Sequence, residues 1–154
     1  MIKHTFDAGV YYIGDPCYAV ANDKWDKLIE ETGCFGVEGY GDKPATNWQD
    51  GIFFYNGFKC FAGGTAFGDG EYRCGNRVYG VDAGLLSIMP LMAIDTIPVI
   101  NEKGYSDFIS PSHAVTFNNK KLHGVSIEVY QSKFQVWRTE KGRFHFGIIQ
   151  IDTQ

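Results

Sequence analysis

Positive charge is scarce in this chain and nowhere concentrated. Lys and Arg number 14 against 18 Asp and Glu, for a net charge of −4 and a pI near 5.5. The densest basic run, Lys120-Lys121, reads as part of a turn. General nucleic-acid binding needs clustered Lys and Arg to replace counterions, and this pattern speaks against it. Long apolar runs are missing too, since no window approaches the roughly 18 uninterrupted apolar residues of a membrane span. The first residues, MIKHTFDAG, carry neither an apolar signal core nor a cleavage pattern. The expected compartment is the cytoplasm, with no membrane association. Cysteine is sparse: Cys17, Cys34, Cys60 and Cys74 form no CxxC pair, which disfavours a zinc knuckle. In a reducing compartment they read as free thiols that pack as small hydrophobes.

Aromatic residues are what the chain has in excess. They make up 16% of 154 residues, within a hydrophobic share of 44%. That length fits one globular domain, residues 1–154, able to bury about 68–70% of its unfolded surface without disulfides or metals. Phe, Tyr and Trp favour strands and supply large buried areas. Residues 8–13 read as an opening strand that Pro16 ends, leaving Asp15 at its tip. One helix is expected over Asn22–Thr32, capped by Asn22 or Asp23. Trp25, Leu28, Ile29 and Thr32 share a face, and Gly33 supplies the stop. Residues 36–50 read as a loop, either a surface excursion or a lid.

Asn56-Gly57 between two aromatic runs is the preferred two-residue hairpin turn. A second hairpin is expected from Tyr72 through Gly75-Asn76 to Val81. Leu85–Met89, closed by Pro90, reads as a strand covered on both faces. Residues 97–100 read as an edge strand. His113–Phe117, Leu122–Tyr130, Phe134–Thr139 and Arg143–Asp152 then read as an antiparallel meander. Alternation at Val125, Ile127 and Val129 marks one buried face. The last strand is expected to be central, with Phe144, Phe146 and Ile148 on one side and Ile149 and Ile151 on the other. The sum is a mainly β fold, an antiparallel β-sandwich or distorted barrel with one short N-terminal helix.

The chemistry concentrates in Gly63–Gly84, where seven glycines and two aspartates fall within 22 residues. Its Gly68-Asp69-Gly70-Glu71-Tyr72 echoes Gly14-Asp15-Pro16-Cys17-Tyr18. Asp15, Asp69 and Asp82 all sit in glycine-flanked turns. Asp beside Gly or Pro is ordinary turn chemistry. At strand ends the same carboxylates, with Glu71, could instead converge on one rim and hold a divalent cation, the one cofactor this set admits. With His113 or His123 such an ion would make a metal-assisted hydrolase or phosphodiesterase. No segment follows a calcium-loop pattern, and GGTAFG lacks the Lys-Ser/Thr ending of a phosphate loop. His113 and His123 have a hydroxyl residue three positions on rather than two, unlike the paired motifs of 2H phosphoesterases. His123 reads as an inward, hydrogen-bonded residue. Cys17 lacks a local base for a nucleophilic role. The aromatics Tyr11, Tyr12, Tyr18, Tyr40, Trp48, Tyr55, Tyr72 and Tyr79 suit either a sandwich core or stacking on a sugar or base.

GDPCY, TAFGDGEY, YGVDAG and the closing FGIIQIDT, in that order, make the chain resemble a type of small protein found in bacteria and their phages. The resemblance carries over no catalytic residues. It implies an accessory cytoplasmic role, by binding a host protein or sequestering a signalling nucleotide. The leading expectation is a non-enzymatic binding domain, with Asp15, Tyr18, Asp69, Glu71, Tyr72 and Asp82 around the ligand. Its partner would be a small molecule or a host protein, with homo-oligomerisation left open.

Overall fold

A computed structural model describes residues 2–32, 51–75, 77–94, 98–99, 115–117, 120–122 and 124–154. The expected loop at 36–50, the helix stop at Gly33, and Cys34, Tyr40, Trp48, His113 and His123 lie outside the described residues.

The centre is a five-stranded antiparallel sheet in the order β11-β2-β7-β4-β3. Its strands are β2 (Gly9–Gly14), β3 (Ile52–Tyr55), β4 (Phe58–Gly64), β7 (Leu85–Pro90) and β11 (Ser126–Tyr130). The hairpin β3–β4 turns at Asn56-Gly57, both at positive φ of 50° and 84°, as a two-residue hairpin turn of this type requires. Apolar residues on every strand but the edges fill both faces. On one face Tyr12, Phe53, Cys60, Leu85, Met89 and Ile127 form a core. Helix α1 (Asn22–Thr32) adds Leu28 and Ile29 to it, with Trp25 packed against it. The helix begins at Asn22, and the amide of Lys24 already donates to the Ala21 carbonyl at 3.0 Å.

On the other face Tyr11, Ile13, Phe61, Leu86 and Ile88 meet a second, four-stranded sheet. That sheet has the order β1-β12-β13-β14, from β1 (His4–Phe6), β12 (Phe134–Arg138), β13 (Arg143–Phe146) and β14 (Ile149–Asp152). It contributes Phe6, Val136, Phe144, Phe146, Ile149 and Ile151 to the shared core. The fold is thus mainly β and antiparallel, with two sheets packed as in a sandwich and a helix on the outer face of the larger one. Two smaller sheets complete it: the hairpin of β5 (Gly70–Cys74) and β6 (Arg77–Val81), and a three-stranded sheet β10-β9-β8. The latter is made of β8 (Pro98–Val99), β9 (Val115–Phe117) and β10 (Lys120–Leu122).

The C-terminal third departs from a simple meander. β11 pairs with β2, whereas β12 pairs with β1 and β13, so consecutive strands β11 and β12 belong to different sheets. The expected long last strand is two strands, broken at Gly147 (φ 66°). That turn resets the side-chain alternation. Ile148 is 91% exposed at the tip, and Ile149 and Ile151 rejoin Phe144 and Phe146 in the same core. Alternation along β11 is not one-sided either: Ser126 and Glu128 are buried while Val129 is exposed. The hairpin β5–β6 covers the face that carries them, with Arg77 on Glu128 at 2.8 Å and Tyr79 beside Ser126 at 3.3 Å. Lys120 and Lys121 lie in β10, paired with Phe117 and Thr116, rather than in a turn.

Candidate functional site

The glycine-rich turns converge, and Asp15 joins them. Its backbone leaves β2 in an extended conformation (φ −68°, ψ 128°) and caps the short 3-10 turn Pro16–Tyr18. Proline at the first turn position suits this geometry because its missing N–H would have no partner there. Asp15 Oδ1 accepts the amide of Cys17 at 2.9 Å. Oδ2 accepts two amides from the turn after β6, those of Asp82 at 2.8 Å and Ala83 at 2.7 Å. The Asp15 carbonyl takes the Tyr12 hydroxyl at 2.6 Å. The residue is fully buried. Burial pushes its carboxyl up from the ordinary value, and the amides of Ala83, Cys17 and Asp82 oppose that push.

Around this buried carboxylate the other predicted residues take different positions. Tyr18 donates its hydroxyl to Asp82 Oδ2. The Tyr72 hydroxyl turns back on its own loop and donates to the Gly68 carbonyl at 2.7 Å, which Thr65 Oγ1 also reaches at 2.5 Å. The amide of Thr65 then ties that loop to the Gly84 carbonyl at 2.9 Å. Asp69 and Glu71 are exposed. Burial raises the Cys17 thiol far above its usual range, and the negative charges of Asp15, Asp82 and Asp69 add to the effect. Asp15, Cys17, Tyr18 and Asp82 therefore form one unit, with Asp69 close enough to be felt electrostatically.

That unit is a fastening more than an open binding rim. Both oxygens of Asp15 are taken by backbone amides, and the hydroxyls of Tyr18 and Tyr72 are engaged within the protein. The two Gly-Asp-x-x-Tyr turns are alike in sequence but not in use, because Asp15 is buried whereas Asp69 is exposed. Among the described residues no three His, Cys, Asp or Glu side chains group as a metal-binding set. Of the aromatics that suit either a core or stacking, Tyr11, Tyr12, Tyr55 and Tyr79 are buried in the core.

A second place offers room instead. Where the chain crosses from β1 to β2, a cavity of about 570 Å³ opens at the end of the sandwich. Thr5 to Tyr11 make one wall, Phe58 and Lys59 at the start of β4 another, and Pro90 at the end of β7 with Leu91 and Met92 the third. Lys59 bridges the two sheets. Its ammonium donates to the Thr5 carbonyl at 2.8 Å and lies 4.8 Å above the Phe6 ring. The Tyr11 hydroxyl donates to the Asp7 carbonyl at 2.8 Å, holding the crossing in place. Met92 is 81% exposed at the mouth. The volume falls within the roughly 300–1,000 Å³ of small-molecule sites. Sequence reading passed over these residues because the three walls are remote in the chain and none carries a motif. The one local hint was Lys59 interrupting an aromatic strand.

No protein-family model, curated protein or solved structure matches the chain.

Proposed function

We propose that this chain is a non-enzymatic binding domain that holds a small ligand in the cavity between the β1–β2 crossing, β4 and the end of β7. The cavity carries the reading: about 570 Å³ walled by Phe6, Val10, Tyr11, Phe58 and Leu91, with the charged residues Lys59 and Asp7 in its lining. An apolar lining with a few placed polar groups is the usual makeup of a ligand site. The glycine-turn unit serves the same function indirectly by clamping the end of β2 to the turn after β6, which keeps the sheet that backs the cavity in register. The likeness of the turn motifs to small bacterial and phage proteins supports an accessory role in the cytoplasm of a bacterial host.

Native mass spectrometry of the purified protein, beside the variant Met92→Trp, tests this. Met92 is exposed, so the larger ring can close the mouth without entering the core. Binding of a small molecule by the wild type and its loss in Met92→Trp is the expected result. A wild type that retains no organic mass and binds no member of a fragment collection by ligand-observed NMR would sink the proposal.

A further inference from the structure

The cavity's charges differ in setting, and that difference bears on what enters. Lys59 is half-buried, while Asp7 at the crossing is exposed. Among the described residues Lys59 forms no ion pair. Its ammonium meets one carbonyl, that of Thr5, and one aromatic face, that of Phe6. An ammonium has three donors, and an apolar body filling the cavity would strip water from this one. A desolvated cation without a counter-charge is costly, whereas a charge-assisted hydrogen bond to an anion offsets that cost. Asp7, the other charged residue of the lining, is open to solvent. Apart from Thr5 and Gly9 the rest of the wall is aromatic or aliphatic, and Met92 adds an unbranched thioether that adapts to irregular shapes.

We infer that the cavity takes an organic anion, an apolar or aromatic body bearing one carboxylate-like group that pairs with Lys59. This rests on the binding reading above and adds the ligand's chemical class. The test uses three probes sharing one ring system: 2-naphthoate, 2-naphthamide and 2-naphthylmethylammonium. Each is titrated calorimetrically into the full chain at neutral pH, as wild type and as Lys59→Met. Methionine keeps most of the apolar stem while removing the charge, and an amide ¹H–¹⁵N spectrum establishes that the variant is folded. The expected result is that naphthoate binds wild type about tenfold or more tightly than naphthamide. Lys59→Met should erase that preference and leave naphthamide binding in place. Equal binding of naphthamide or the ammonium probe, or a preference that survives Lys59→Met, would overturn the anion assignment and leave the binding domain standing. Failure of all three probes to bind either protein would overturn the anion assignment, and the binding domain falls with it only if the fragment collection fails as well.

Discussion

Asp15 and Asp82 are joined through a backbone amide: the Asp15 carboxylate accepts the N–H of Asp82 at 2.8 Å, and that of Ala83 at 2.7 Å. The Asp15 carboxylate thereby fastens one turn to another across 67 positions of sequence.

The first prediction concerns this fastening. Asp15→Ala leaves three partly buried amides without their acceptor, each costing up to about 1–3 kcal/mol when unpaired. A loss of about 3 kcal/mol or more in urea unfolding is expected. Asp15→Asn retains one acceptor oxygen but turns an NH₂ towards an N–H donor, so it should lose about 2 kcal/mol. A change under about 0.5 kcal/mol for Asp15→Ala, as at an ordinary surface site, would show that the amides find other partners.

Cys17 provides a second check on the same unit. Its thiol is raised by burial and by three carboxylates, and only the thiolate reacts. Iodoacetamide labelling at pH 8, mapped by peptide mass, should modify Cys17 more than about tenfold more slowly than a free cysteine. Asp82→Asn should speed it. Labelling at the free-thiol rate would contradict the placement of Cys17 beside these charges.

A third prediction separates two glycines that sequence alone treats alike. Both Gly57 (φ 84°) and Gly124 (φ 85°) lie in the left-handed region. A Cβ at Gly57 meets nothing within 4 Å, whereas one at Gly124 would lie 2.1 Å from the Gly80 amide nitrogen. Gly57→Ala should cost only the conformational penalty, about 1 kcal/mol. Gly124→Ala should cost about 3 kcal/mol or more, because the β5–β6 hairpin must lift away. Equal midpoints in a denaturant series would refute the close approach.

The ion pair beneath that hairpin gives a pH-dependent outcome. Glu128 is raised by burial, and Arg77 at 2.8 Å pulls it back. Arg77→Leu removes the compensation and should cost about 3 kcal/mol at pH 7. Its carboxyl then stands further above the unfolded value, near 4.5. In the window above that value the folded state binds more protons than the unfolded one, so stability rises as pH falls. The variant's deficit should therefore shrink towards pH 5 in thermal melts. A deficit that stays constant with pH would mean that Glu128 keeps no unpaired charge.

These sites show which information is local. The β3–β4 hairpin, the start of α1 and the double-faced strand β7 were legible because Asn-Gly, helical spacing and a continuous apolar run act within a few residues. Asp15 at a strand end was legible for the same reason, since Pro16 stops pairing. That its side chain would reach Asp82 and Ala83 was not, because ordinary Asp-Pro turn chemistry looks identical whether the carboxylate faces solvent or a distant turn. Gly147 was read through as strand interior, since Phe-x-Phe on one side and Ile-x-Ile on the other mimic a single two-faced strand. Only the positive φ breaks that parity. The cavity was invisible for a third reason: it is bounded by a crossing, a strand start and a strand end that pairing alone brings together.

The placement of β2 has a consequence for how the chain is made. Tyr12 is paired with Met89 on one side and Ile127 on the other, and β1 has β12 as its partner. A chain growing from its N-terminus produces β2 long before either neighbour exists. Its second neighbour arrives only once residues 126–130 are made. Until then β1 and one edge of β2 stay unpaired, exposing backbone that other chains could template on. Folding should accordingly be slow for the protein's size, dominated by pairings distant in sequence. A chain stopped before residue 126 should aggregate rather than persist as a folded half.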